Sequence, residues 1–240
     1  MDTYLEVLPF TLLMAVAQYF FGNVITNLST GGHHSPLFHT GLFVGVYIIH
    51  FMIFCLLFSV ALYFMYQRYH QQAVDYGQAL MKGGLQVPQV ILASLMVYIP
   101  IIIAFLIFVL PYLFSPTLTS GFYVNVSFFA VVVLVVVPIL LYFYVSPVLI
   151  VAKAKNALEG IKQSWELTRG YWLKTFYLLA IFGTFTALIS WVLSKLYAGF
   201  TPEIMTIISF PLNISLMIIH CDNLENISRE KSPALRSRTD

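Results

Sequence analysis

The chain has 240 residues, of which 60% are hydrophobic and only 9% are charged, and its formal net charge is +2. Soluble proteins carry charge on about a quarter of their residues, so this composition excludes an ordinary water-soluble domain. Lipid must surround most of the chain. The predicted fold class is therefore all-α, a polytopic membrane bundle of six transmembrane helices with a cytoplasmic amphipathic surface helix.

Six apolar runs are long enough to cross a hydrocarbon core of roughly 30 Å as helices. The predicted spans are, in chain order, Val7–Thr26, Gly41–Tyr66, Val87–Phe114, Phe122–Val151, Tyr171–Leu193 and Pro202–His220. The fourth contains the β-branched run VVVLVVVP, but its length without a charge far exceeds that of an ordinary strand. We predict a transmembrane domain over residues 1–220 and a polar, disordered cytoplasmic tail over residues 221–240.

Basic residues are distributed unevenly between the two sides of the predicted bundle. Four spans separate Arg68 from the C-terminal tail, so eleven of the twelve Lys and Arg residues fall on one side and only Lys195 falls on the other. Cytoplasmic segments of membrane proteins carry such an excess of Lys and Arg. The sequence therefore predicts that both termini are cytoplasmic.

The connection between the fourth and fifth spans is unusually rich in charge. Asn156 is a suitable N-cap and Gly170 a suitable exit for a helix over Lys155–Arg169. Helical spacing gives this helix one apolar face and one charged face. The apolar face consists of Leu158, Ile161, Trp165 and Thr168, and the charged face consists of Glu159, Lys162, Glu166 and Arg169. Lys162 and Glu166 are one turn apart and can form an ion pair.

A helix with an indole on its apolar face and cations opposite is typical of one that lies along a membrane surface, where anionic lipid favours it. The predicted lipid or partner contacts are Lys155, Lys162, Trp165, Arg169 and Trp172. The alternative is a folded connection that only covers the inner ends of the fourth and fifth spans.

Two stretches resemble a bacterial inner-membrane superfamily. The first is VDYGQALMKGGLQVPQV at Val74–Val90, and the second combines Ala157–Glu159 with SWELTRG at Ser164–Gly170, before a new span. The superfamily includes uncharacterised six-span proteins and the membrane domain attached to some glycerophosphoryl diester phosphodiesterases. The resemblance covers Val74–Leu193 and implies a six-span protein of the bacterial inner membrane, without a settled activity.

The two predicted cytoplasmic connections share a weak sequence similarity, called here the theme. One runs from Ala73-Val74-Asp75 to Lys82-Gly83, and the other from Ala157-Leu158-Glu159 to Arg169-Gly170. One hypothesis is a duplicated unit of span, surface helix and span, and the alternative is a chance similarity.

Small polar residues in the last two spans could form a polar seam between helices. The main candidates are Thr184, Ser209 and Asn213, accompanied by Thr186, Ser190 and Thr206. Three prolines lie near the middle of spans, at Pro100, Pro138 and Pro211. Helices broken in this way often line cavities in transporters. The alternative is ordinary packing, in which prolines bend helices and hydroxyl groups bridge neighbours.

No Asp, Glu, Lys or Arg lies in the central part of a span, whereas proton relays and ion-coupled carriers usually need one. His50 is the only ionisable residue at depth, and we expect it to bond to a neighbouring helix. The outer loop Asn27–Thr40 contains His33, His34 and His39 but no carboxylate or Cys to complete a metal site. No catalytic motif is apparent, so we expect no enzyme activity, cofactor, metal or nucleic-acid partner.

Two functional hypotheses follow. The first is a non-enzymatic scaffold or accessory protein that acts on lipid organisation or on a protein partner at the cytoplasmic face. The second is a transporter or permease-like carrier of a neutral or amphiphilic solute. A carrier predicts an internal cavity reached from one side and lined by Thr184, Ser209 or Asn213.

Overall fold

The computed structural model describes the backbone of residues 2–30, 36–114, 129–196 and 201–236, and these residues form helices joined by short turns. The helices are α1 (Asp2–Thr30), α2 (Pro36–Tyr69), α3 (Tyr76–Leu85), α4 (Val87–Phe114), α5 (Val137–Phe143), α6 (Ser146–Val151), α7 (Ala157–Arg169), α8 (Trp172–Leu196) and α9 (Thr201–Arg236). A π-helical segment, Val132–Val136, leads into α5. The described part of the chain contains no strand, as predicted.

Six stretches are long and apolar enough to cross a membrane. They are Leu5–Asn27, Gly41–Tyr69, Val87–Ile107, Phe129–Val151, Trp172–Leu196 and Pro202–Glu230. Each overlaps a predicted span, so the prediction of six apolar helices in a multi-pass membrane protein is confirmed. Residues 115–121, between the third and fourth predicted spans, lie outside the described residues.

The fourth predicted span differs from the single regular helix that its composition indicates. The π-helical segment comes directly before Pro138, and a turn at Tyr144 and Val145 separates α5 from α6. Both irregular places precede a proline, at positions 138 and 147. Because proline lacks a backbone N–H and its ring crowds the preceding turn, a regular α-helical ladder cannot run through either place.

Two predicted boundaries were wrong, because helices extend into polar sequence. Helix α1 continues to Thr30 and α2 begins at Pro36, so both enter the predicted loop Asn27–Thr40. Helix α9 continues past residue 221 to Arg236, where a disordered tail was predicted. The physical reason in the second case is packing, since Cys221 and Leu224 are buried against the bundle.

Ion pairs define one end of the bundle, called here the basic end. Nε of Arg68 at the end of α2 lies 3.1 Å from Oε2 of Glu6 near the start of α1. Nε2 of His70 lies 3.2 Å from Oδ2 of Asp222 on α9, and Lys153 after α6 also pairs with α9. The helices α3 and α7 lie at this same end, because they connect spans that begin or end there.

Buried apolar side chains concentrate in the half of the bundle next to the basic end. The largest of them include Leu62 and Phe64 on α2, Leu149 and Ile150 on α6, and Ile218 on α9. The other half is much more exposed. In the described helix α8, the one buried residue is Thr175, near the helix start at the basic end. Lipid would cover the exposed apolar side chains, so the core in which helices pack on one another lies near the basic end.

The connections before α4 and before α8 are built alike. After the preceding span, each contains a non-glycine residue with a positive φ, Gln71 at 56° and Ala154 at 50°. Each then begins a short helix with a side-chain cap. Asp75 accepts a hydrogen bond at 2.6 Å from the backbone N–H three residues later, and Asn156 does the same at 2.8 Å. Asn156 is the N-cap, as predicted, and its helix begins at Ala157 rather than at Lys155.

Both short helices pack on the preceding span through small residues. Four and eight residues after the cap stand Ala79 and Gly83 in α3, and Gly160 and Ser164 in α7, and all four are buried. A Cβ on Gly83 would lie 2.8 Å from the Cα of Val60, and one on Gly160 would overlap a side chain of α6. Small residues are therefore needed for this close approach.

The register of this similarity differs from the predicted theme. That theme placed Asp75 opposite Glu159 and Gly83 opposite Gly170, whereas the structure matches the caps Asp75 and Asn156. The sequence comparison was shifted because it followed apolar residues and terminal glycines rather than the capping side chains.

Candidate functional site

Helix α7 is held across the basic end by bonds to two spans. The backbone N–H of Ala157 donates to Oε1 of Gln89 on α4 at 3.0 Å, and Oγ of Ser164 donates to the carbonyl of Tyr142 on α5 at 2.7 Å. The helix ends at Gly170, as predicted, although the φ of Gly170 is −83° and needs no glycine. These contacts fix which side of α7 faces away from the bundle.

The buried face of α7 is not the predicted apolar face. Its buried residues are Ala157, Gly160, Ser164, Leu167 and Thr168. Leu158 is 65% exposed and Trp165 is 43% exposed, so these two residues of the predicted apolar face do not pack into the bundle. Small residues allow α7 to approach α5 and α6 closely. The larger side chains of Leu158 and Trp165 lie outside this contact. Only Thr168 of the predicted face is buried.

The predicted contact residues remain accessible on this surface. Lys162, Trp165, Arg169 and Trp172 are exposed and Lys155 is half-buried. Within the described chain, Lys162 and Glu166 form no ion pair, contrary to the predicted one-turn pair. The cations on α7 are therefore available to a ligand.

Trp165 occupies a fixed position beside these cations. Its indole stacks on the ring of Tyr142, with 4.0 Å between centroids and 28° between planes. Leu158 is exposed on the same helix. The surface of α7 thus combines a rigid aromatic group, an apolar side chain and unpaired cations, which is the combination that membrane interfaces favour.

Lys153, only two residues before Lys155, behaves differently. Its Nζ lies 2.5 Å from Oε1 of Glu225, and the two side chains are 21% and 13% exposed. Burial lowers the pKa of Lys153, but the hydrogen bond and negative charge of Glu225 outweigh it and raise the pKa above its ordinary 10.5. Lys153 is a structural cation that joins the loop before α7 to α9.

A cavity of about 420 Å³ lies in the half of the bundle away from α3 and α7. Helices α1, α2, α8 and α9 surround it. Its lining residues are Met14, Gln18, His50, Phe54, Phe182, Thr186, Thr206, Ser209, Phe210 and Asn213. It contains much of the predicted polar seam, since Thr186, Thr206, Ser209 and Asn213 all line it.

The structure does not place every seam residue at this cavity. Thr184 is exposed on α8, and its hydroxyl donates to the carbonyl of Ala180 at 2.8 Å. Thr184 and Ser190 do not line the cavity. The predicted seam is therefore partly wrong on α8, because Thr184 lies two positions from the lining residue Thr186 and faces a different direction.

Two lining residues had no predicted role at a site. Gln18 on α1 accepts a hydrogen bond from the hydroxyl of Thr206 on α9, across the cavity wall. The ring of His50 stacks on that of Phe21, with 4.9 Å between centroids and 5° between planes, rather than forming the predicted hydrogen bond. A polar residue inside an otherwise apolar span was the only sequence signal for either.

His33 and His34 of the predicted histidine loop lie outside the described residues. Among the residues that are described, no group of three or more His, Cys, Asp or Glu side chains is placed to hold a metal. Cys55 and Cys221 are free and buried.

Residues 80–219, from α3 to α9, match the family described as "Domain of unknown function (DUF7847)". The match covers more than half of the chain. The protein belongs to the DUF7847 family. The matched part of this DUF7847 protein includes α7 and the cavity lining from α8 and α9, but neither α1 nor α2. No curated protein and no solved structure matches the chain.

Proposed function

We propose that this DUF7847 protein is a non-enzymatic membrane scaffold that binds anionic lipid headgroups through α7 at the cytoplasmic face of a bacterial inner membrane. The observation that carries the proposal is the exposed pair Lys162 and Arg169 beside the fixed indole of Trp165, with the half-buried Lys155 just before α7. Each cation near an anionic membrane surface contributes about 1 kcal/mol to binding. Lys162 and Arg169 lie on α7 and Lys155 lies two residues before it, and together the three cations favour a local cluster of anionic lipid.

Charge reversal tests this proposal. The variant Lys162→Glu/Arg169→Glu removes two cations and adds two anions, so we expect its affinity for phosphatidylglycerol to fall by about tenfold or more. Native mass spectrometry of protein in micelles with defined amounts of phosphatidylglycerol measures the number of lipids retained. Lys195→Glu is the matched control, because Lys195 is exposed at the opposite end of α8.

Unchanged lipid retention in the double variant would refute the proposal, provided that its thermal unfolding matches the wild type. An equal loss in Lys195→Glu would refute it as well, since the effect would then follow net charge rather than α7. If lipid retention is unchanged but a co-purifying protein is lost, α7 binds a protein partner instead.

Membrane orientation is part of the proposal and has its own test. The excess of basic residues at the basic end supports a cytoplasmic location for α7 and for both termini. Cysteine replacements at Ser35 and Ser232 can be labelled with a membrane-impermeant thiol reagent, and the buried native thiols give a low background. We expect intact cells to label position 35 only. Labelling of position 232 alone would invert the orientation.

We propose as a second function a carrier of a neutral or amphiphilic solute, because the cavity supports it. Ser209 and Asn213, two of the three residues predicted for a carrier site, line that cavity. Filling the cavity with Ser209→Phe is expected to abolish uptake of a transported solute into proteoliposomes, whereas Thr184→Val is expected to leave uptake unchanged.

A further inference from the structure

The cavity contains hydrogen-bond donors that the described protein does not use. Gln18 bonds to Thr206 through its Oε1, and its Nε2 has no partner among the described residues. Asn213 likewise accepts from the hydroxyl of Tyr144 through Oδ1 at 3.0 Å, which leaves its Nδ2 free. The ring nitrogens of His50 form no hydrogen bond in the described structure. These three groups come from α1, α2 and α9 and all line the cavity.

The hydroxyl groups of the lining are already engaged as donors. Thr186 donates to the carbonyl of Phe182 or Gly183, both at 3.0 Å, and Ser209 donates to that of Met205 at 2.6 Å. A ligand therefore meets two amide N–H₂ groups and the single N–H of a neutral imidazole as donors, which select a hydrogen-bond acceptor, while the second ring nitrogen of His50 can accept one hydrogen bond. A carbonyl oxygen is such an acceptor and has no hydrogen to satisfy in return.

The remaining lining is apolar and aromatic. Met14, Phe54, Phe182 and Phe210 form its walls, and no Asp, Glu, Lys or Arg is among the described lining residues. An ion buried there would lack a counter-charge, which is costly inside a membrane. The volume of about 420 Å³ falls within the range of small-molecule sites. The lining therefore selects an uncharged body with a polar end.

We infer that this cavity binds an uncharged amphiphile whose carbonyl oxygens accept hydrogen bonds from Gln18, His50 and Asn213, while its apolar body packs against the phenylalanine rings. Two membrane-soluble classes share this chemistry, a quinone with an apolar tail and a diacylglycerol. The inference rests on the carrier proposal only in using the same cavity, for which it names the ligand class. Binding does not require that the ligand crosses the membrane.

Binding is tested with the full chain in detergent micelles. The probes are decylubiquinone and dioctanoylglycerol, with dodecane as a probe that has no carbonyl group, and isothermal calorimetry measures the affinity. We expect at least one carbonyl probe to bind saturably at one molecule per chain, and dodecane to bind at least about fivefold more weakly. The stronger of the two carbonyl probes identifies the class of ligand.

The decisive variant is His50→Phe, which keeps a ring to stack on Phe21 but removes both ring nitrogens. Loss of one hydrogen bond should weaken binding of the carbonyl probe about fivefold. Thr184→Val is the matched control, because its hydroxyl lies outside the cavity, and it should leave the affinity unchanged. Ser209→Phe provides a second test, since it fills the cavity and should abolish binding.

Saturable binding of neither carbonyl probe to the folded wild type would overturn the inference. Equal affinity for dodecane would also overturn it, because the donors would then not contribute. Unchanged binding in both His50→Phe and Ser209→Phe would place the ligand elsewhere. The carrier function is tested separately. If the protein binds the probe but does not move it across the membrane of proteoliposomes, this inference stands and the carrier function is refuted.

Discussion

The helices in the two halves of the bundle are held together by different contacts. Near the basic end, the short helices α3 and α7 pack through small residues onto α2, α5 and α6. Two ion pairs and the contact between His70 and Asp222 join the ends of helices there. The opposite half contains the cavity, and α8 there is largely exposed. Because lipid chains are as apolar as the side chains they cover, membrane helices associate through close packing and polar contacts. Stability should therefore be concentrated near the basic end.

The largest expected effect comes from Lys153→Met. This change leaves the carboxylate of Glu225, which is only 13% exposed, without its partner at 2.5 Å. Breaking a buried ion pair on one side costs several kcal/mol, and partial exposure of this pair reduces the expected loss to about 3 kcal/mol. Thermal unfolding in a fixed detergent should show a decrease of about 6–12 °C.

Arg229→Ala is the control for this variant. Arg229 also faces Glu225, but its nitrogen lies 3.7 Å away and its side chain is 79% exposed. Exposed pairs of this kind contribute less than about 1 kcal/mol, so its unfolding temperature should change little. Equal losses in the two variants would contradict a special role for Lys153.

The pair also gives a pH dependence with a definite sign. The pKa of Lys153 is raised in the folded protein above its ordinary 10.5, so its stabilisation is present below pH 10.5 and is lost as pH rises through the folded-state value. The difference in unfolding temperature between wild type and Lys153→Met should therefore shrink only above pH 10.5. Shrinkage between pH 6 and 9 would show that another group titrates.

Gly83→Ala is expected to have the next largest effect. The added Cβ would lie 2.8 Å from the Cα of Val60 and 2.9 Å from the carbonyl oxygen of Ser59. Backbone atoms cannot yield as a side chain can, so the cost should be about 2 kcal/mol. Gly84→Ala is a matched control in the same helix, because its Cβ would only touch the Leu56 side chain at 3.8 Å. The control should be neutral or slightly stabilising.

Much of the fold could be predicted from the sequence because the spans follow from apolar length alone. The caps Asp75 and Asn156 show where prediction is reliable and where it needs care. Each is a local signal that depends only on neighbouring residues, and of the two only Asn156 is predicted as a cap. The end of α9 could not be predicted, since the burial of Cys221 and Leu224 depends on neighbouring helices.

The candidate sites were predicted less completely. The cations of α7 were identified, but the face that packs on the bundle was not, because it consists mainly of small residues rather than of the large apolar ones. Gly160 and Ser164 face the bundle instead. The need for small residues at these positions can be recognised only when the position of the opposing helix is known. The cavity depends on helices far apart in the sequence, so Gln18 and Thr206 could not be paired from their spacing.

Ser164→Ala should have an intermediate effect. Ser164 is fully buried, and its hydroxyl donates to the carbonyl of Tyr142 at 2.7 Å between α7 and α5. Loss of one such hydrogen bond costs about 1 kcal/mol, or about 2–4 °C in unfolding temperature. Ser194→Ala is the control, because its exposed hydroxyl bonds only to Trp191 of its own helix at 2.8 Å. A larger loss at Ser194 than at Ser164 would reverse the comparison of the two halves.

The smallest effect is expected from Gln18→Leu, although it removes a bond between two spans. The hydroxyl of Thr206 loses Oε1 of Gln18 as an acceptor, but it can donate to the carbonyl of Pro202 on its own helix at 2.9 Å. No buried donor is then left unpaired, so the cost should stay below about 0.5 kcal/mol. Thermal unfolding of Gln18→Leu, Thr206→Val and the double variant measures this coupling directly. A coupling energy above about 1 kcal/mol would show that the cavity wall, as well as the basic end, holds the bundle together.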